Sequence, residues 1–311
     1  MKINIKNREY LLANLAIAIA VIFWGVSFIS TKIAVAEVPP TTLALVRFII
    51  ASVALGLLLK KVEPTSKVDK RDRPKMVLGG LLGITFYFYF ENLGIKLTTV
   101  VNASLIVTIV PLVAILLDVL FFKSRLTTLK LLAALIAIVG TYLSVTANGQ
   151  IDFSSTNFKG NLLMICAMLC WVFYTLVNKS LQRKYSGICM TTYQTIYGTL
   201  CLIPLSLLEY QEWRLFSLTT LGHILFLAFC CSVGCYILYM YALKHLDVAI
   251  TTVYLNLVPV IGVVCGFLIL NEAVLPIQLI GGLLTFFAII VVNMDGLVQR
   301  RQLSSTNVEK C

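Results

Sequence analysis

Charge is scarce in this sequence. Asp, Glu, Lys and Arg make up 13% of its 311 residues, against the roughly 25% usual in soluble domains. Histidine is scarcer still, with His223 and His245 the whole complement, and the nine cysteines contain no CxxC pair. A zinc-type ligand spacing is therefore missing. Cys166, Cys170, Cys230, Cys231, Cys235 and Cys265 lie in apolar runs, where a thiol behaves as a small hydrophobe. There is no GxxxxGK[ST] loop to grip and hydrolyse ATP, no HExxH or GxSxG, and no carboxylate pair spaced on one helix for acid-base work. Neither a cofactor nor a metal is expected, and neither is enzymatic activity. The alternating apolar and polar decamers of a membrane β-barrel are also lacking.

What is present is apolar, at 59% of the chain. A bilayer-spanning helix needs about 20 mainly apolar residues. Ten such blocks occur, near 11–35, 41–59, 75–95, 98–122, 127–147, 160–178, 190–208, 218–242, 248–270 and 275–294. Backbone groups in lipid must be satisfied within helices, so the expected fold is an all-α integral membrane protein of ten transmembrane helices. The net charge of +11 could suggest nucleic acid, but its placement argues for lipid instead. With the N-terminus inside, 20 of the 25 Lys and Arg residues fall in inner segments, and Lys32, Lys96, Lys159 and Arg214 fall outside. That bias sets both termini in the cytoplasm. The apolar run before Ala34-Val35-Ala36 is too long for a cleaved signal peptide, and the compact loops fit a bacterial plasma membrane.

The chain also repeats itself. WGVSFISTK at 24–32 matches WVFYTLVNK at 171–179, an offset of 147; ENLGIKLTTVVNASLIVTIVP at 91–111 matches YMYALKHLDVAITTVYLNLVP at 239–259, an offset of 148. Each repeat holds five spans, and an odd number obliges the second copy to cross the membrane the other way. The expected organisation is a short N-terminus (1–10), a first repeat (11–147), an outer connection (148–159), a second repeat (160–294) and a cytoplasmic tail (295–311). Inverted repeats are typical of secondary transporters, which bind substrate near the midplane between the halves. A channel-like facilitator and, less readily, a membrane-embedded enzyme are the rival readings.

Trp24-Gly25-x-Ser27, Arg47-Phe48, the prolines Pro111 and Pro259, the Asn271-Glu272 turn and the two matching repeats together resemble the EamA-type permeases of the drug/metabolite transporter superfamily, over about residues 10 to 295. The resemblance implies a ten-helix transporter of small metabolites, commonly an exporter, with a central cavity lined from both halves. Where such chains often carry an acid after the fourth helix, this one reads Lys123-Ser124-Arg125.

Ionisable groups within a span are costly, and each marks a candidate site. Arg47, Glu91 and Asp118 qualify, while Lys32, Lys96, Asp247 and Glu272 lie near enough to span ends to snorkel or cap. At about 100° per residue, Gly80, Gly83, Tyr87, Glu91, Gly94 and Thr98 share one face of the third span, and Leu82, Phe86, Phe90 and Leu93 lie together on another. The first face should look into the bundle, with the Tyr87 hydroxyl in reach of Glu91 one turn on. Arg47 and Glu91 lie at similar depth, so an ion pair between them is expected. It is either a structural device or a pair that opens for a proton, another coupling ion or the substrate. Further candidate cavity residues are Trp24, Ser27, Asn102, Trp171, Tyr174, Asn178, Gln194, Tyr236, Tyr239 and Asn256, a set suited to an amino acid or organic cation. Pro111 and Pro259 should kink their helices and free the carbonyls of Val107 and Leu255. Small residues Ala133, Ala137 and Gly140 of the fifth helix match Gly281, Thr285 and Ala288 of the tenth; these faces suit close packing within the bundle or across a homodimer.

Overall fold

In a computed structural model, the described residues are 5–107, 155–181, 184–246 and 257–284, with isolated positions between 128 and 143, at 254, and from 286 to 291. All regular structure among them is helical. The first repeat contributes α1 (Ile5–Ala34), α2 (Pro40–Val62), α3 (Arg73–Gly80), α4 (Tyr87–Leu97) and α5 (Val100–Val107). The second contributes α6 (Thr156–Leu181), α7 (Gly187–Leu207), α8 (Leu218–Leu225), α9 (Cys235–His245) and α10 (Leu257–Leu270). Among the described residues, five stretches are long and apolar enough to cross a membrane: Glu9–Glu37, Pro40–Val62, Arg73–Leu97, Thr156–Asn178 and Leu218–Tyr239.

Two of these spans share a feature that hydropathy does not reveal. Between α3 and α4 the backbone is π-helical over Leu81–Phe86, and between α8 and α9 it is π-helical over Phe226–Gly234. Shifted by the repeat offset of 148, the first π segment falls on 229–234, inside the second. A π turn closes i to i+5 and leaves backbone groups open to outside partners. The indole N–H of Trp24 uses one of them, donating to the Cys231 carbonyl at 3.1 Å.

Packing crosses between the repeats. α1 packs on α9 and α10, α4 packs on α6, α2 packs on α7, and α5 packs on α10. The core follows those contacts: Ile17, Val21 and Phe28 of α1 meet Ile95, Met164, Met168 and Ala242, whereas Phe48 and Ala51 of α2 meet Ile84, Phe88 and Leu202. Glycines set the closest approaches. Gly80 lies against the Gln194 carbonyl and the Gly198 backbone, and Gly94 against the Gly160 carbonyl, so α3 and α4 are clasped by α7 at one end and by α6 at the other. Cys231 and Cys235, one turn apart, direct their thiols at the Phe23 and Ala20 carbonyls of α1, each at 3.5 Å.

At one end of the bundle, second-repeat carboxylates cap first-repeat helices. Glu209 accepts from the Thr41 and Thr42 amides at 3.0 and 2.8 Å and from both threonine hydroxyls. Glu272, presented by Asn271 at φ 51°, accepts from the Val100 and Val101 amides, both at 2.9 Å. Each acid answers the unpaired N–H groups and the positive dipole end of its helix. Lys32 does the converse, donating to the Ile95, Lys96 and Thr98 carbonyls where α4 stops. Glu209→Ala should cost about 1–2 kcal/mol of stability, read as a lowered melting temperature of the detergent-solubilised protein, whereas Glu212→Ala should stay within about 0.5 kcal/mol.

The other end is tied by charge. Lys184 donates to Asp72 at 2.6 Å and pairs with Asp69 at 2.5 Å, and the Tyr185 hydroxyl donates to Asp72 at 2.7 Å. The Lys184 ammonium, then the Tyr185 hydroxyl, hold the Asp72 carboxyl below the usual carboxylate range. A carboxylate depressed by folding stabilises above its unfolded pKa and loses that contribution as pH falls through the folded one. Limited proteolysis of the 63–75 connection should therefore accelerate below about pH 4, and Asp72→Asn should give fast cleavage already at pH 7.

Candidate functional site

Tyr87 and Glu91 sit one turn apart on α4, and the Tyr87 hydroxyl donates to Glu91 Oε1 at 2.9 Å. The face carrying Gly80, Gly83, Glu91, Gly94 and Thr98 is buried, and Phe86, on the other face, is exposed. Phe88 and Asn92 are buried as well, a wider inner face than a straight wheel gives, because the π segment below α4 shifts the helical phase.

The expected Arg47–Glu91 ion pair is not formed. Both side chains are buried, at 5% and 7% exposure, yet no Arg47 nitrogen lies within 4.0 Å of a Glu91 oxygen. Arg47 Nε instead donates to Ser232 Oγ at 2.8 Å, and the guanidinium lies 4.6 Å from the Phe88 ring centre and 5.2 Å from that of Phe48. Two partners unseen in the sequence thus hold the cation: a hydroxyl from the second π segment and an aromatic face one residue beyond Tyr87. The guanidinium still attracts the Glu91 carboxylate across the gap. Among the described residues, neither its terminal nitrogens nor Glu91 Oε2 makes a hydrogen bond.

Aromatic rings from both repeats surround the two charges. Tyr87 lies 5.3 Å from Trp171, which lies 5.2 Å from Tyr174; Trp24 lies 6.0 Å from Tyr236 and 5.7 Å from Tyr239. Trp24, Tyr87 and Tyr239 all pack against one buried apolar cluster. Gly83 gives the Tyr174 ring its room, since a Cβ there would lie 2.5 Å from it.

The remaining sequence candidates lie elsewhere or are engaged. Gln194 Nε2 donates to Asn178 Oδ1 at 2.6 Å, and Gln278 Nε2 donates to Asn102 Oδ1 at 2.6 Å, making two buried amide pairs. Ser27 Oγ donates to its own helix at the Trp24 carbonyl, 2.7 Å away. Pro259 is buried in α10. Pro111, Asn256, Asp118, Asp247, Ala133, Ala137, Thr285 and the Leu255 carbonyl lie outside the described residues. Ser232 and Phe88 are the members that sequence reasoning missed; the repeat offset alone could have drawn attention to the segment holding Ser232.

Comparison with known proteins adds a lineage to this geometry. The model of the EamA-like transporter family matches the chain twice, over residues 11–146 and 158–294. An uncharacterized transporter of Archaeoglobus fulgidus is 30% identical over 273 residues, covering 88% of this chain and 94% of its own. A probable terminal-alkyne amino-acid exporter of Streptantibioticus cattleyicolor is 26% identical over 290 residues, covering 93% and 96%. The Bacillus subtilis transporter YyaM is 25% identical over 273 residues, covering 86% and 89%. A chain of known crystal structure superposes with a TM-score of 0.65 at 18% identity, over 90% of this chain and 97% of that one, a likeness of fold.

Proposed function

The chain belongs to the EamA-like transporter family, and from that premise we propose that it is a secondary transporter exporting a small amino acid by alternating access across a bacterial plasma membrane. The observation that carries this reading is the pair of buried, opposite charges kept out of contact, Glu91 bonded by Tyr87 and Arg47 resting against Phe48 and Phe88. A buried charge is costly unless a partner completes it. An α-amino acid carries both complements: its carboxylate suits the free guanidinium nitrogens of Arg47, and its ammonium suits Glu91 Oε2 and the faces of Tyr87, Trp171 and Tyr236. An organic cation would use Glu91 and the rings but leave Arg47 unanswered, which makes it the second reading. The Streptantibioticus relative's name, an amino-acid exporter, leans the same way.

The rocking elements in this proposal are two inverted five-helix repeats, ten spans in all. Support comes from the ends of the elements: Glu37 after α1 meets Ser217 before α8, and Glu272 after α10 meets the start of α5. Both contacts join the ends that an inverted repeat would bring together. The excess of cations in the segments assigned to the inner side supports cytoplasmic termini. Glu91 is the proposed carrier of a coupling proton, released when the substrate ammonium arrives.

Counterflow in proteoliposomes tests the reading. Purified protein, loaded with a panel of unlabelled amino acids and organic cations, should accumulate labelled amino acid saturably, faster with trans-substrate and responsive to a pH gradient. Flux indifferent to trans-substrate would assign a channel-like facilitator. Flux of organic cations alone would assign the second reading.

A further inference from the structure

From the last turn of α2 through the first turn of α3, residues 60–75 hold seven cations, all exposed, and three acids, Glu63, Asp69 and Asp72. Lys75 acts on Asp72 across a gap; otherwise the acids are engaged elsewhere. Glu63 accepts from Ser186 Oγ at 2.7 Å, while Asp69 and Asp72 are taken up by Lys184 and Tyr185. None of the seven cationic side chains makes a hydrogen bond or an ion pair among the described residues. The segment is nevertheless built rather than loose. Val68 is buried with Leu59, Met76, Leu181, Cys189 and Met190, and turns close from Ser66 to Glu63 and from Asp72 to Asp69.

Its position is juxtamembrane at both ends, since the spans Pro40–Val62 and Arg73–Leu97 bound it. The apolar side chains Leu57, Val62 and Leu78, next to the cations, are exposed in the protein and so meet acyl chains. We propose that this platform binds anionic phospholipid headgroups, with the lysine and arginine ends on the phosphates and the neighbouring apolar side chains against the tails. A cluster of this size at a span end attracts acidic lipids strongly, and the attraction fades with salt. Because the acids are spent on Lys184, Tyr185 and Ser186, just ahead of α7, the platform's charge depends on the Lys184 tie, and lipid occupancy would stabilise the arrangement in which that tie is closed. The proposal needs no statement about substrate.

The test titrates detergent-solubilised full chain with dioctanoyl-phosphatidylglycerol and, separately, dioctanoyl-phosphatidylcholine, counting retained lipids by native mass spectrometry. Wild type should retain the anionic lipid preferentially. The triple variant Lys67→Gln, Lys70→Gln, Arg71→Gln should weaken that retention about tenfold or more, while Lys67→Arg with Lys70→Arg keeps it. Neutralising Lys96, Lys159 and Arg214 at other segments should leave it unchanged, and a melting temperature equal to wild type checks the fold of each variant. Should the triple variant not fold, Lys67→Gln and Lys70→Gln singly carry the test, each weakening retention several-fold. Equal retention of the two lipids by wild type, or undiminished retention by the glutamine variants, overturns the proposal. So does displacement of the bound lipid by millimolar inorganic phosphate, which would mark a soluble anion as the occupant.

Discussion

Glu91→Gln should lower amino-acid counterflow by about 100-fold while leaving the protein folded. The arithmetic follows from the site. A hydrogen bond to a charged group is worth about 1.5–3 kcal/mol, and each 1.4 kcal/mol is about tenfold in affinity or rate. Glutamine keeps the shape and still accepts from the Tyr87 hydroxyl, now 2.9 Å from Glu91 Oε1, but it cannot answer an ammonium or exchange a proton. Arg47 does not depend on Glu91 for its bonds, since Ser232 and Phe88 hold it, so stability should shift by less than about 1 kcal/mol. The measurement is initial counterflow rate in proteoliposomes beside the melting temperature. Wild-type flux with an unchanged pH response would remove Glu91 from the mechanism.

The largest structural effect should come from a single apolar substitution at a helix contact. In Gly198→Val, a Cβ would lie 2.5 Å from Ile84 Cβ and 2.6 Å from the Gly80 carbonyl oxygen. One obstacle is backbone, and the other is the branched carbon of a buried residue in the π segment. Neither can swing aside as the end of a long side chain could. Overpacking costs about 1–3 kcal/mol where a core can adjust; here α7 must separate from the π segment, and a loss near 3 kcal/mol or above is expected. Gly222→Val is the matched control, because a Cβ at Gly222 meets nothing within 4 Å. Comparable melting temperatures for the two variants would show that the α7 contact yields without cost.

Residues that interact along one helix were legible in the sequence. The Tyr87–Glu91 bond follows from a spacing of four, and the buried glycine face follows from helical periodicity. Trp24 and Trp171 were also visible, because the internal repeat places them at equivalent positions. What failed was the assignment of partners across space. Similar depth suggested pairing Arg47 with Glu91, but depth does not specify azimuth, and Ser232 stands nearer to Arg47 on the other repeat. The π segments were illegible for another reason: LLGITF and FLAFCCSVG carry no residue type that marks a widened turn, so apolar composition reads as ordinary helix. Glu272 was recognisable as a capping acid, whereas the helix it caps, α5, begins more than a hundred residues earlier in the chain.

The crossing of contacts between repeats also constrains biogenesis. The Cys235 thiol and the Ala20 carbonyl it meets are 215 residues apart. Translation at about 5–20 residues per second separates their emergence by roughly 10 to 40 s. For that interval Arg47 waits in the bilayer or the insertion machinery without Ser232, and α1 without α9 or α10. Neither repeat is an autonomous folding unit in this arrangement, and the nascent first half needs shelter until its counterpart arrives. A chain severed between residues 148 and 159 should consequently accumulate only when both pieces are made in the same cell.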